Sequence, residues 1–348
     1  MKSSVILLLI LLGYLILYNF FYKQIETRFS ISKIKIDYSS LPISLVKLYI
    51  LSLISIVFYL YLIKFKWELL LFRPFVFDLK NNTNLGLIGY GVLLIVKVIP
   101  YFVMMYYWIV NKIFNKHQCL FILFTLIICF PTSLSRSILA LLFIPVVLLF
   151  SSWPKKGLNY VLLFIFGLIV VFPLLNSFRH WNEGDFSFDY QLFNSGHFDA
   201  FQNFSLLVNE DIITNGKQLL GSLLFFVQES VWSDRPVPTG HLLGEKIGYT
   251  YLNVAMPYFG EGYANFGYLG VLLFTIFIAL VNSVFDFRHF KMKTNIFEYM
   301  IFLSLLGAEF YLLRGSLWSF VKLFIGVLIS LLVIWFVICF RHKKNINL

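Results

Sequence analysis

Cysteine is nearly absent from this chain: three occur in 348 residues, Cys119, Cys129 and Cys339. All three fall inside long apolar runs, so they cannot form the disulfide framework that staples small secreted domains. Charge is scarce as well. Asp, Glu, Lys and Arg together make up 13% of the residues, and only 17 residues are acidic, against roughly a quarter charged in an ordinary soluble domain. That shortage excludes a soluble globular fold, which needs a polar shell. The sequence also lacks a glycine-rich phosphate loop, a zinc-ligand spacing, a Gly-x-Ser-x-Gly elbow and any internal repeat. Nucleotide-driven chemistry, a metal centre and a solenoid therefore have no support.

Apolar residues fill the gap. They make up 59% of the chain, with a mean hydropathy of +0.83, which defines an all-α polytopic membrane protein. Apolar runs near the bilayer-spanning length of about 20 residues occur at Ser4–Tyr22, Leu41–Ile63, Leu85–Val110, Gln118–Phe130, Ser137–Phe150 and Leu158–Asn176. Three more follow at Phe266–Phe285, Ile296–Leu313 and Ser319–Phe340. The expectation is about nine transmembrane helices, or ten if Trp67–Phe77 dips into the membrane. Residues 1–22 lack a small-x-small cleavage site and read as an uncleaved anchor. The organisation is an N-terminal bundle over 1–176, a large polar loop with short amphipathic helices over 177–265, and C-terminal helices with a basic tail over 266–348.

Lysine and arginine set the orientation. Lys23, Arg28, Lys33, Lys35, Lys112, Lys116, Lys155, Lys156, Arg288, Lys291, Lys293, Arg341, Lys343 and Lys344 fall on one face of a nine-span arrangement, which is then cytoplasmic. Only the loop carrying Lys64, Lys66, Arg73 and Lys80 breaks the pattern. The polar loop lies on the opposite face, with ten acidic residues against four basic side chains. The net charge of +11 is thus a set of anchors for anionic membrane lipid and not a nucleic-acid footprint.

Four arginines stand apart from those anchors: Arg136 in a tight hairpin, Arg179 at the exit of the sixth span, Arg235 in the loop and Arg314 at the end of the eighth span. A cation at membrane depth costs about 2.5–3.5 kcal/mol. Each could snorkel to head groups alone, but four on the outer face suit a pyrophosphate, which guanidinium binds in bidentate fashion. The loop adds aromatic and short polar side chains of the kind that hold sugars. From Phe198 to Val208 the spacing predicts a short amphipathic helix starting at Asp199. Pro236, Pro238 and Gly240 predict a rigid turn in place of a helix. Beside Arg235, the titratable groups Asp234, His241 and Glu261 are candidates for general-base work. Glycines flank Glu261 in Gly-Glu-Gly and give it close backbone access.

Two stretches carry a resemblance. FFVQESVWSDRPVPTG and MPYFGEGYANFGYLGVL resemble the hallmark of Wzy-type O-antigen polymerases, the oligosaccharide repeat-unit polymerases of bacterial surface glycans. Trp232, Pro236 and Gly240 match the first stretch, with Arg235 in place of a lysine. Gly260, Glu261, Tyr263, Asn265, Phe266, Gly267 and Gly270 match the second. Phe198-Asp199, Arg136 and Arg314 are also similar to the family. The resemblance implies a C-type glycosyltransferase-like fold in the inner membrane, a periplasmic loop and a cytoplasmic C-terminus. It implies transfer of the growing glycan from undecaprenyl pyrophosphate to the next lipid-linked repeat unit, without cofactor or metal. Arg136, Arg179, Arg235 and Arg314 would then hold pyrophosphate. Trp232, Tyr263, Asn265 and Asp199 would hold sugar, and Glu261, His241 or Asp234 would take the proton. The implied partners are lipid-linked oligosaccharides as donor and acceptor, with a chain-length regulator and a flippase alongside. An O-antigen ligase or a lipid-linked oligosaccharide flippase is the alternative reading.

Overall fold

The computed structural model describes residues 2–29, 44–72, 87–153, 158–174, 199–228, 230–252, 254–292 and 294–339, and every regular element among them is helical. In chain order the helices are α1 (Lys2–Arg28), α2 (Leu45–Leu62), α3 (Glu68–Leu71), α4 (Leu87–Asn111), α5 (Lys116–Ile128), α6 (Arg136–Phe150), α7 (Leu158–Phe166), α8 (Ala200–Asn209), α9 (Lys217–Leu223), α10 (Thr239–Ile247), α11 (Tyr258–Lys291), α12 (Ile296–Leu312) and α13 (Leu317–Cys339). A helix satisfies its own backbone, as hydrocarbon requires. Among the described residues, six helical segments are long and apolar enough to cross a membrane: Lys2–Arg28, Leu45–Leu62, Gly91–Asn111, Lys116–Ser133, Tyr258–Lys291 and Leu317–Cys339. Ile138–Phe150 and Leu158–Leu174 are apolar but shorter, and α12 has 17 residues. Their outer surfaces are apolar too, with Leu9, Ile16 and Leu269 at 62%, 69% and 61% exposure. Faces this apolar belong against lipid. The chain is an all-helical polytopic membrane protein.

The chain divides into two compact units. One comprises Asp37–Tyr190, Asn295–Ala308 and Leu323–Leu348. Its α2, α4 and α5 pack through Ile56, Tyr59, Ile63, Val96 and Ile128. Lys97 is buried there, its ammonium 3.4 Å from Ser133 Oγ and 5.4 Å from the centre of the Tyr59 ring. Of the stretch Trp67–Phe77, which a tenth span would use, the described part holds the single turn α3, and residues 73–77 lie outside the described residues.

The other unit comprises Met1–Ile36, Gln191–Thr294 and Glu309–Lys322. Here α1 lies along α11, tied by Tyr18 Oη donating to Asp286 Oδ2 at 2.7 Å and Asn282 Nδ2 donating to Tyr14 Oη at 3.0 Å. The amphipathic helix expected after Phe198 forms as α8, with Asp199 at its N-cap position. Its Phe204, Leu207 and Val208 recur at helical spacing and bury against Ile10, Leu243, Met256, Phe259 and Tyr263. The rigid turn expected over Pro236–Gly240 ends earlier, because Pro238 closes it and α10 begins at Thr239. Proline fits just ahead of a helix because no intrahelical partner exists for an N–H there. Gly240 belongs to the helix: a β-carbon at that position would stand 2.0 Å from Val254 O.

Candidate functional site

The site grows from a break in α11. Phe266 has φ −142° and ψ 23°, and Gly267 has φ 61° and ψ −144°, a left-handed φ suited to glycine. The break sets Tyr258–Asn265 apart as a separate helical piece folded against the longer helix that follows. The approach is backbone to backbone. A β-carbon on Gly270 would lie 1.9 Å from Gly262 O, and one on Gly262 would lie 2.7 Å from Gly270 O. Gly262, Gly267 and Gly270 are thus steric requirements of one fold-back.

Breaking a helix frees carbonyls, and burial makes unpaired ones costly. The chain around 214–219 takes them up. Ala264 O accepts from Thr214 N at 2.7 Å and Thr214 Oγ1 at 2.8 Å, and Asn265 O accepts from Gly216 N at 3.0 Å. The fully buried Asn265 side chain accepts from Leu219 N at 2.7 Å and donates to Glu261 O at 2.8 Å. Tyr263, 2% exposed, donates to Asp211 Oδ1 at 2.9 Å. Both residues were expected to face sugar. The geometry commits their polar atoms to the protein, where they hold the turn.

Glu261 is 1% exposed. Its Oε2 accepts a short hydrogen bond from Thr239 Oγ1, and its Oε1 accepts from Leu317 N at 2.9 Å. Leu317 opens α13, so the carboxylate occupies the helix end where backbone N–H groups lack partners and negative charge is favoured. One side chain thereby joins the starts of α10 and α13 to the piece before the break. The other two acid–base candidates sit outside the core. His241 Nε2 lies 3.0 Å from Glu245 Oε1 on the outer side of α10, and Asp234 is exposed.

Around the start of α13 the cations gather. Arg314 occupies the turn between α12 and α13, where Gly315 N bonds Tyr311 O at 2.5 Å. Burial pushes the Arg314 guanidinium down from its ordinary pKa, while Asp199 and Tyr311 oppose the shift; an arginine keeps its charge regardless. Asp199 Oδ1 is buried and makes no hydrogen bond among the described residues. Arg235 lies over the Trp318 indole with its guanidinium 4.8 Å from the ring centre, and its Nη1 donates to Val227 O at 2.8 Å. Lys322, one helical turn beyond Trp318, is within electrostatic range of Arg235. Trp232 is half-buried three residues before Arg235.

The expected residues thus separate. Arg314 and Asp199 come into electrostatic range of each other, and Arg235 reaches the first turn of α13. Arg136 opens α6 in the other unit, and Arg179 lies outside the described residues. Thr239, Trp318 and Lys322 were missed. The Trp318–Lys322 spacing of four on a helix was the available signal for two of them. Chemically, Arg235 and Lys322 offer guanidinium and ammonium donors for an anion beside the Trp318 indole, and Arg314 adds a guanidinium within electrostatic range of the Asp199 carboxylate.

These features define a class, an all-helical membrane protein with a cationic turn at a helix mouth. Residues 242–345 match the family model described as O-antigen polysaccharide polymerase Wzy, so this part of the chain is similar to that family. The matched segment takes in Glu261, Tyr263, Asn265, Arg314, Trp318 and Lys322. No curated protein and no solved structure matches the chain.

Proposed function

We propose that the protein polymerises lipid-linked oligosaccharide repeat units of a bacterial surface polysaccharide. The growing glycan passes from undecaprenyl pyrophosphate to the next lipid-linked unit at the periplasmic face of the inner membrane. The observation that carries this reading is the coincidence of a Wzy-type segment with cations around the start of α13, contributed by Arg314, Arg235 and Lys322. A nine-to-ten-span arrangement with the polar loop outside completes it.

In the proposed reaction a hydroxyl oxygen of the acceptor sugar attacks the anomeric carbon of the donor. The bond from that carbon to phosphate oxygen breaks, and undecaprenyl pyrophosphate leaves with the electron pair. Arg235, Arg314 and Lys322 bind the pyrophosphate and stabilise its growing charge, so the reaction calls for no metal ion. Asp199 and Trp232 face sugar, the first as hydroxyl acceptor and the second as a stacking ring. The hydroxyl proton goes to His241, whose ring Glu245 orients, with Asp234 as the neighbouring carboxylate. Glu261, Tyr263 and Asn265 serve as positioning residues that hold α10, the break and α13 in one arrangement. Arg136 and Arg179 stay phosphate-ligand candidates on sequence alone.

Deletion of the gene and electrophoresis of the surface glycolipid test the reading. Lipid core bearing a single repeat unit is the expected result. Bare core would overturn it in favour of a ligase or a flippase.

A further inference from the structure

The segment that packs against the α11 break is built inside out for a water-exposed loop. α9 buries Gln218, Gly221 and Ser222, while Leu220, Leu223 and Phe226 are 48%, 52% and 60% exposed. Between Ile212 and Gln228, Lys217 is the one charged residue. We propose that residues 217–228 form a re-entrant element lying in the bilayer hydrocarbon, with this apolar face against lipid acyl chains.

Three observations support lipid over water. Polar groups turned inward and apolar groups outward are the reverse of a solvated amphipathic helix, and Ser222 Oγ closes on Gln218 O at 2.9 Å as a hydroxyl in hydrocarbon must. Part of the backbone beyond α9 is also paired. Leu224 O and Gln228 O accept from Val227 N and Val231 N at 3.0 Å each, and Val227 O takes Arg235 Nη1 at 2.8 Å. Irregular backbone is tolerated at membrane depth only where its groups are paired in this way. Third, the face is continuous with a span. Leu219 N is bonded to Asn265 Oδ1, and a β-carbon on Gly216 would lie 3.0 Å from the Phe266 ring. The exposed Phe266, Leu269 and Leu273 of α11 follow directly. That continuity with a lipid-facing stripe selects lipid over a second copy of the chain.

The inner side has a consequence that rests on the proposed function. A β-carbon on Gly221 would stand 2.5 Å from Pro236 Cγ and 3.2 Å from the Trp318 ring. Small residues here therefore bring the Arg235–Trp318 pair directly behind the hydrocarbon-facing wall, at the boundary where a lipid-borne phosphate sits.

Spin labels test the placement. With Cys119, Cys129 and Cys339 replaced by alanine, labels are attached in lipid nanodiscs at Leu223→Cys or Phe226→Cys, with Leu269→Cys as lipid reference and Asp234→Cys as water reference. Collision with oxygen should dominate at 223 and 226, and collision with a water-soluble nickel chelate should fall to the Leu269 level. Nickel collision at the Asp234 level would overturn the proposal, and so would exclusion of both colliders, the signature of a covering protein surface. Hydroxyl-radical footprinting of the unaltered protein guards against misfolded variants. Phe226 should stay unoxidised while Tyr251, 50% exposed, is modified. Equal modification would refute the placement. Because these readouts measure depth alone, they fail or succeed separately from any glycan assay.

Discussion

Glu261→Ala and Glu261→Gln form the most discriminating pair of perturbations. The carboxylate is 1% exposed and serves Thr239 Oγ1 and Leu317 N. Alanine leaves both donors without an acceptor in a place water does not reach. An unsatisfied buried group costs about 1–3 kcal/mol; the Thr239 hydroxyl can rotate toward another acceptor, whereas the Leu317 N–H is fixed by its helix. Together with the space left by the side chain, the loss is about 2–5 kcal/mol, enough to lower protein level and thermal midpoint. Glutamine behaves differently. Its carbonyl can accept from Leu317 N while its NH2 donates to Thr239, whose hydroxyl turns round, so only the charge-assisted part is lost, about 1 kcal/mol. Thermal unfolding in detergent and the glycan ladder from complemented deletion cells are read side by side. Alanine should lose stability and ladder together, and glutamine should keep most of both. Wild-type stability of the alanine variant would refute the tie. A stable glutamine variant without polymer would make Glu261 the proton acceptor and remove the assignment to His241.

Two further substitutions follow from the same geometry. Gly270→Ala sets a β-carbon 1.9 Å from Gly262 O, and backbone cannot yield as a side chain does, so a loss of at least ~1–3 kcal/mol should appear as reduced thermal midpoint and little folded protein. Arg314→Ala should shorten or abolish the ladder at near-normal protein level, with Arg314→Lys restoring part of it, and Arg235→Ala should do so with some loss of protein because Val227 O loses its partner. Full ladders from both alanine variants would remove the cationic turn from the reaction.

Several features of the molecule were legible in its sequence for physical reasons. Apolar runs too long for a soluble core reveal the membrane class. Phe204, Leu207 and Val208 at helical spacing behind Asp199 announce α8. The glycines of GEGYANFGYLG announce close backbone approach, although not its partner. What pattern reading does not supply is direction. Tyr263 and Asn265 are residue types that sugar sites use, yet freed carbonyls and the neighbouring Asp211 claim them. Glu261 finds one partner 22 residues away and another 56 residues away, contacts that depend on the fold-back at Gly267. Lys322 looks like a snorkelling lysine until Arg235 is seen over Trp318.

The central claim is that this chain itself joins repeat units at the cationic turn. Its direct measurement is reconstitution of the purified protein in nanodiscs with a single undecaprenyl-pyrophosphate-linked repeat unit as sole substrate, followed by mass spectrometry of the lipid-linked glycans. The account predicts a ladder rising by one repeat-unit mass per step, released undecaprenyl pyrophosphate in equal number to the bonds formed, and loss of both with Arg314→Ala. An unchanged substrate with folded wild-type protein, or a ladder that persists in the variant, would contradict it.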